Sequence, residues 1–351
     1  MNYRITEDDR ARFKRCRRQW DFASRRGLEP IARMEPVLPA VLKDALAVYY
    51  YPGTWDWQPE LRQSLVHKAA GRTLREVGAA DALPTATAIL DAYDAWASTV
   101  DDFAPVKIGH DVAGLLPDPR DPERGLTTPD GAAVIYSCRI DLLAVDAADE
   151  YWVVRHLIGD EWQELDALIG DEAAVAACWA WEQEYLGMEI SGTIHNQVLL
   201  TGPLDRPVAD GAARSRVQQS EASGGGRAIP QHRRLSARTS RSDESGHIEQ
   251  STAGFVRRTR IRRSRAEIGA VGALIGAEAI EMCGEPAIYP TFAVHCQACE
   301  FLAPCRAIVE GTDPEPLLTA KFRLRAGDDP RKPRLGQATW GFGRGAAPPH
   351  W

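Results

Sequence analysis

Lysine is scarce in this chain. Only 6 of its 351 residues are lysine against 36 arginines, and none lies between Lys107 and Lys321. A catalytic lysine from within that long central stretch is therefore excluded, and any fixed positive charge there comes from arginine.

Long hydrophobic runs are also missing. No stretch approaches the roughly 18 uninterrupted apolar residues that a membrane-spanning helix needs. The N-terminus, Met1 to Arg18, is charged and has no apolar segment behind it that would mark a secretory signal. We therefore expect no membrane association and a cytoplasmic location. The formal net charge of -7 argues against a wholly basic nucleic-acid-binding surface, but not against a local basic patch.

The seven cysteines are too few for the disulfide framework of a small secreted domain. In a reducing compartment, clustered cysteines are typical metal ligands. Three of them, Cys138, Cys178 and Cys283, lie in apolar helix or strand patterns that favour packing.

The pattern of apolar residues predicts an α/β fold. A capping box at Thr6 and Asp9 predicts a first helix that continues to Gly27 and carries Cys16 on its apolar face. Helical periodicity then predicts helices over about 38–51, 59–77 and 84–100, which makes residues 1–104 a helical part.

The centre of the chain, residues 105–200, has a different pattern. Short β-branched or aromatic runs predict strands over 106–112, 132–138, 140–145 and 151–157, then a helix over 171–186 and a strand over 190–200. Residues 201–254 are rich in Ser, Arg and Gly and are predicted to be a flexible insertion, as is the tail, 326–351. Between them, residues 255–325 carry a basic strand, a helix and a cysteine segment.

The cysteine segment is the most specific motif. Cys296, Cys299 and Cys305 follow a Cys-x2-Cys-x5-Cys spacing that can surround one metal centre, and Cys16 is the candidate for the fourth ligand. This set predicts an iron–sulfur cluster of the [4Fe-4S] type. A zinc site that uses His295 and a set of cysteines without metal are the alternatives, although five residues between ligands is unusual for zinc.

One cysteine on the first helix, followed near the C-terminus by this spacing, resembles the iron–sulfur, RecB-like branch of the PD-(D/E)XK nucleases. That branch includes helicase–nuclease subunits and CRISPR-associated adaptation exonucleases. The resemblance covers about residues 4–325 and omits the insertion. It implies a restriction-endonuclease-like core at 105–200, with a helical N-terminal subdomain and a C-terminal iron–sulfur segment.

The same resemblance implies a metal-dependent nuclease centre, which this chain lacks in part. Asp141 matches the family's aspartate, but Arg155 stands where the second carboxylate is expected and Leu157 where the lysine is expected. Asp44 and Lys43 lie where the family has a histidine. We therefore predict a catalytically silent core.

Two groups of acids keep an active centre open as an alternative. Asp111 and Asp141, joined by Glu161 and Glu164, are candidates for a rearranged site for Mg²⁺ or Mn²⁺. The alternative interpretation of these acids is a solvated surface.

A silent core can still bind DNA through clustered arginines. The candidate cluster is Arg257, Arg258, Arg260, Arg262, Arg263 and Arg265. The alternative is that these arginines pair with acids of the same chain. The prediction is a DNA-binding iron–sulfur protein of repair, recombination or foreign-DNA processing, with or without a protein partner. An active exonuclease, or an iron–sulfur scaffold for protein interaction, are the alternatives.

Overall fold

A computed structural model describes residues 2–31, 37–201, 239–242 and 247–325. They form a mixed α/β fold, as the sequence predicts. The chain divides into two compact units, each built from separate stretches. The first unit comprises Met1–Met34, Asp111–Cys138 and Gly272–Trp351, and the second comprises Glu35–His110 and Arg139–Val271.

The elements are as follows in chain order. The helices are α1 (Glu7–Arg15), α2 (Arg17–Trp20), α3 (Val37–Tyr49), α4 (Pro59–Glu76), α5 (Leu83–Val100), α6 (Leu165–Ile169), α7 (Glu172–Glu184), α8 (Arg265–Cys283), α9 (Leu302–Val309) and α10 (Glu315–Lys321). The strands are β1 (Asn2–Thr6), β2 (Leu28–Pro30), β3 (Phe103–Leu115), β4 (Pro117–Asp118), β5 (Asp121–Gly125), β6 (Ala133–Asp146), β7 (Tyr151–Gly159), β8 (Ile190–Leu199), β9 (Thr239–Ser242), β10 (His247–Ala253), β11 (Val256–Arg262) and β12 (Phe322–Leu324).

The second unit is built on a mixed sheet in the order β6, β7, β8, β11, β10, β9. Strands β7 and β8 are parallel, with Val153 opposite Thr193, whereas the other neighbours are antiparallel. Helices α3, α4 and α5 share one hydrophobic core with this sheet. Gly192 of β8 permits the close approach of β11, because a Cβ at position 192 would clash with the Ile261 carbonyl oxygen of that strand.

In the first unit, two short strand pairings connect segments that are distant in sequence. Strand β1 runs parallel to the first half of β6, and β2 pairs antiparallel with β12. A small core lies beneath the second pairing and consists of Phe22, Ala23, Phe301, Leu318 and Phe322. This core fixes the position of the cysteine segment, since Cys299 packs against it.

Most of the predicted elements are confirmed. The three helices of the N-terminal part correspond to α3, α4 and α5, and the strand-rich centre is present. The runs at 132–138 and 140–145 form one continuous strand, β6, because no turn interrupts them. No helix among the described residues has the length and apolar character to cross a membrane.

Three expectations need correction. Residues 1–104 are not all helical, because β1 and β2 lie among them. The first helix does not run to Gly27 but ends at Arg15, since Cys16 is extended. Part of the predicted insertion, 201–254, forms β9 and β10, while its residues 202–238 and 243–246 and the tail, 326–351, fall outside the described residues.

Candidate metal centre and carboxylate site

Cys16 lies at a break between two helices of the first unit. The capping box predicted at Thr6 and Asp9 begins α1, with Asp9 accepting from the Thr6 backbone N–H at 2.9 Å. Helix α1 ends because Cys16 takes an extended conformation, with φ -162° and ψ 112°, and α2 begins at Arg17. The break directs the buried Cys16 side chain toward the C-terminal segment.

Thr291 connects Cys16 to that segment. Its backbone N–H donates to Cys16 Sγ at 3.5 Å, and its carbonyl oxygen accepts from Cys296 Sγ at 3.7 Å. The backbone of Thr291 thus brings Cys16 close to Cys296.

Short helical turns position the three cysteines of the C-terminal segment. Cys296 lies in a 3₁₀ turn, Val294–Ala298, and Cys299 follows it directly, with its N–H bonded to the Cys296 carbonyl at 3.2 Å. Cys305 lies on α9. All four cysteines line one pocket of about 130 Å³. The structure therefore brings the four predicted ligands together.

Burial raises the pKa of two cysteine thiols in the pocket. It raises the pKa of Cys299 to about 11 and also raises the pKa of Cys305, where the Arg18 guanidinium acts in the opposite direction. Without a metal these side chains are protonated thiols, so a metal must displace their protons to bind.

Two buried nitrogen atoms of the pocket residues have no partner. Arg18 Nε and His295 Nε2 make no hydrogen bond within the described part of the chain. Buried donors without acceptors are costly, typically by about 1–3 kcal/mol each. An occupant that brings its own acceptors would satisfy both.

Among residues 2–31, 37–201, 239–242 and 247–325, no group of three or more His, Cys, Asp or Glu side chains is arranged around a single metal ion. Ligands of one ion converge to about 2.3 Å from its centre. The thiolates of a four-iron cluster each bind a different iron, so they surround a larger body. Four cysteines lining a pocket, together with two unsatisfied N–H groups, fit such a cluster.

Asp141 is the centre of a separate site in the second unit. It lies on β6, just before the stretch that pairs with β7. Its Oδ2 accepts the His156 backbone N–H at 2.8 Å and lies 3.5 Å from Lys43 Nζ on α3. Burial raises the pKa of Asp141, but the Lys43 ammonium, His156 and the Arg155 guanidinium outweigh burial and hold it below its usual value. The carboxylate is ionised and has a cation beside it.

Arg155, which stands where the family has its second carboxylate, forms an ion pair with Asp171. Its Nη1 lies 3.3 Å from Asp171 Oδ1, and Asp171 caps α7 through the Ala174 N–H. Asp171 Oδ2 lies 3.7 Å from Nδ1 of buried His195, whose pKa is lowered to about 4 by burial. Glu161 and Glu164 are exposed. Sequence analysis missed the pairing of Lys43 with Asp141, although both residues are at positions it singled out.

The arginines of β11 and the start of α8 are bonded to acids of the same unit. The ion pairs join Arg258 to Asp101, Arg260 to Asp102, Arg262 to Glu150, Arg263 to Glu267 and Arg265 to Glu182. The side chains of Arg258 and Arg263 are only 6% and 1% exposed. These two belong to the fold, so the predicted DNA contact is restricted to the other four.

Arg257 differs from the rest of the predicted cluster. Its guanidinium lies over the Trp162 ring, 4.4 Å from the centroid, and it has no acidic partner among the described residues. Arg262 and Arg265 remain 47% and 46% exposed. Exposed ion pairs contribute about 0–1 kcal/mol, so both can exchange a carboxylate for a phosphate at little cost.

Comparison with known proteins adds little. Neither a family model nor a curated protein sequence matches the chain. Nine chains of solved structures match it, and one of them is described as "Crystal structure of SSO0001". That match has a TM-score of 0.32 and 10% identity, and it covers 77% of this chain and 94% of the other. A similarity at that level carries no argument about fold or function.

Proposed function

We propose that this chain is a DNA-binding iron–sulfur protein with a RecB-like PD-(D/E)XK core that is catalytically silent. The observation that carries the proposal is the pocket of the first unit, which is lined by Cys16, Cys296, Cys299 and Cys305. When bound, a cluster would supply four iron–thiolate bonds between chain segments far apart in sequence. Such links stabilise a fold by closing a very long loop.

The buried donors favour a cluster over zinc. A zinc ion bound by the cysteines and His295 would occupy His295 Nε2 but would present no acceptor to Arg18 Nε. The sulfide and thiolate sulfurs of a cluster are negatively charged acceptors for Arg18 and His295. This supports the prediction from the cysteine spacing.

The contacts of Asp141 support a silent core. A nuclease metal needs several oxygen ligands, and this carboxylate instead lies beside the Lys43 ammonium. Arg155, in the position of the second carboxylate, is bonded to Asp171. A metal ion would have to compete with the cation beside Asp141 and would gain no second carboxylate from β7.

DNA contact is proposed for four arginines, namely Arg257, Arg260, Arg262 and Arg265. Guanidinium groups pair well with phosphate, and Arg257 needs no release from an acid to do so. We propose that such binding serves repair, recombination or foreign-DNA processing, alone or with a protein partner, as the family resemblance implies.

A second candidate is an iron–sulfur scaffold for protein interaction that does not bind DNA. The ion pairs of Arg260, Arg262 and Arg265 favour it, because each carboxylate offsets a positive charge that would otherwise attract DNA.

One experiment separates these functions. Fluorescently labelled single- and double-stranded DNA is titrated with the protein in Mg²⁺, in Mn²⁺ and in chelator, and both binding and cleavage are recorded. We expect binding without cleavage in every condition. We expect the variant Arg257→Ala/Arg262→Ala/Arg265→Ala to bind at least tenfold more weakly, since each phosphate contact contributes to affinity.

The control is Lys68→Ala/Arg75→Ala/Arg120→Ala, which removes the same charge from exposed positions outside the proposed surface. Equal loss in both variants would contradict a defined surface on β11, and no binding by the unaltered protein would favour the scaffold. Cleavage that Asp141→Ala abolishes would show an active nuclease instead.

A further inference from the structure

In the pocket of the first unit, two buried nitrogen atoms beside the cysteines have no hydrogen-bond partner among the described residues. Arg18 and His295 both line the pocket, and Arg18 Nε and His295 Nε2 are both buried. Arg18 follows Cys16 by two residues on α2, and His295 directly precedes Cys296. Each donor therefore belongs to a segment that also supplies a cysteine.

The position of Arg18 is fixed by contacts to the C-terminal segment. Its backbone N–H donates to the Tyr289 carbonyl at 3.1 Å, and Nη2 lies 3.5 Å from the Ile288 carbonyl oxygen. These contacts hold one edge of the guanidinium and leave Nε without a partner. A flexible surface arginine would turn such a nitrogen toward water.

Hydrogen-bond donors beside an iron–sulfur cluster affect its reduction potential, because the cluster is negatively charged. Reduction adds one electron, and the added negative charge spreads over the sulfur atoms. N–H groups and a cation beside those atoms stabilise the reduced form more than the oxidised form. Hydrogen bonds to sulfur are accordingly among the features that set cluster potentials.

We propose that His295 carries its proton on Nε2, and that Arg18 Nε and His295 Nε2 donate hydrogen bonds to the sulfur atoms of the cluster and raise its reduction potential. The inference rests on the proposed function, since it requires the cluster. It adds that two identified side chains set part of the cluster's reduction potential, and both are positioning residues rather than ligands.

Arg306 provides a matched comparison. It lines the same pocket and carries the same charge, but its side chain is exposed and it contributes no buried unpartnered nitrogen. Its replacement removes a charge near the cluster without removing a hydrogen bond.

The test is a redox titration with dithionite as electron donor, followed by electron paramagnetic resonance, on the full chain purified anaerobically. Iron and sulfide content is measured on each sample. Arg18→Met and His295→Leu, which both remove the donor, should each keep the iron content of the unaltered protein. In each, reduction should become about tenfold less favourable, which is about 59 mV for a one-electron couple.

The remaining variants distinguish a hydrogen bond from charge or packing. His295→Gln retains a side-chain N–H donor and should keep a potential close to that of the unaltered protein. Arg306→Met should shift the potential by less than half as much as Arg18→Met, because its charge is screened by solvent.

Each outcome decides the inference. Loaded Arg18→Met and His295→Leu proteins with an unchanged potential would overturn it. Equal shifts in Arg18→Met and Arg306→Met would overturn its hydrogen-bond basis. Loss of iron from all Arg18 and His295 variants, with Arg306→Met still loaded, would show that these residues hold the site together and would also overturn it. An unaltered protein without iron and sulfide would instead refute the proposed function.

Discussion

The cysteine pocket of the first unit and the Asp141 site of the second unit differ in what their side chains lack. In the pocket, four cysteines are together and two buried nitrogen atoms have no partner among the described residues. At Asp141, the carboxylate already has Lys43 and the His156 N–H as partners. The pocket nitrogens are unsatisfied without an occupant, whereas the Asp141 carboxylate is satisfied by the chain itself.

This difference explains how one chain can be proposed to bind a cluster and yet not to cut DNA. A metal site needs ligands whose partners are missing until the metal arrives. Where a lysine or arginine supplies the positive charge, a metal ion gains less from binding. The state of the neighbouring side chains, more than the presence of a carboxylate or thiol, distinguishes the two sites.

The largest expected effect is at the pocket. Cys16→Ser should remove most of the iron and lower the thermal unfolding temperature, because it removes a ligand from a link between the two ends of the chain. Cys283→Ser is the matched control, since Cys283 is half-buried in the same unit but does not line the pocket. Iron content and circular dichroism melting measure both effects. A fully loaded Cys16→Ser protein would remove Cys16 from the ligand set.

Arg258 should matter for stability rather than for DNA binding. Arg258→Met leaves the buried Asp101 carboxylate without the guanidinium 2.7 Å away, and this typically costs about 3–5 kcal/mol. Arg262→Met breaks an exposed pair with Glu150 and should cost less than about 1 kcal/mol. Urea unfolding at pH 7 compares the two variants. Equal losses would contradict the division of these arginines into buried and exposed groups.

Acid should destabilise the second unit through His156. Burial lowers its pKa from 6.5 to about 4, despite the opposing Asp141 charge, so between these values the unfolded chain binds the proton more readily. The stability is complete above pH 6.5 and is lost as the pH falls toward 4, by about 3 kcal/mol. His156→Phe should flatten the dependence, while its ring can still stack on Tyr50. Urea unfolding from pH 7 to pH 4 measures this, and an unchanged slope in the variant would contradict it.

The smallest predicted effect concerns metal binding at Asp141. Lys43→Met removes the neighbouring cation and should strengthen Mn²⁺ binding by about tenfold, or about 1.4 kcal/mol. Lys68→Met, an exposed lysine on α4, should leave it unchanged. Electron paramagnetic resonance of Mn²⁺ measures the affinity. If Lys43→Met binds Mn²⁺ no better than the unaltered protein, the ammonium is not what keeps a metal from Asp141.

The sequence predicts local features of this chain well. The cysteine spacing, the three helices of the N-terminal part and the alternation of strands all arise from residues that are close along the chain. The break at Cys16 was missed because the helical pattern of apolar residues continues through it. Strand β1 was missed because its pairing partner, the Ala133 end of β6, is distant in sequence.

The roles of charged residues were the least predictable. Arg258 and Arg262 stand in one basic run, yet one is buried and the other exposed. The difference depends on Asp101 and Glu150, which come from α5's C-terminal end and the β6–β7 turn. Charge pairing between distant segments leaves no local pattern in the sequence, and for the same reason the Lys43–Asp141 pair was not foreseen.

The most direct test is the metal content of the protein purified without oxygen. We expect a brown protein with broad absorbance near 400 nm, with about four iron and about four sulfide per chain. We expect Cys283→Ser to match it and Cys16→Ser to lose most of both. A colourless protein with stoichiometric zinc, or with no metal, would contradict the account.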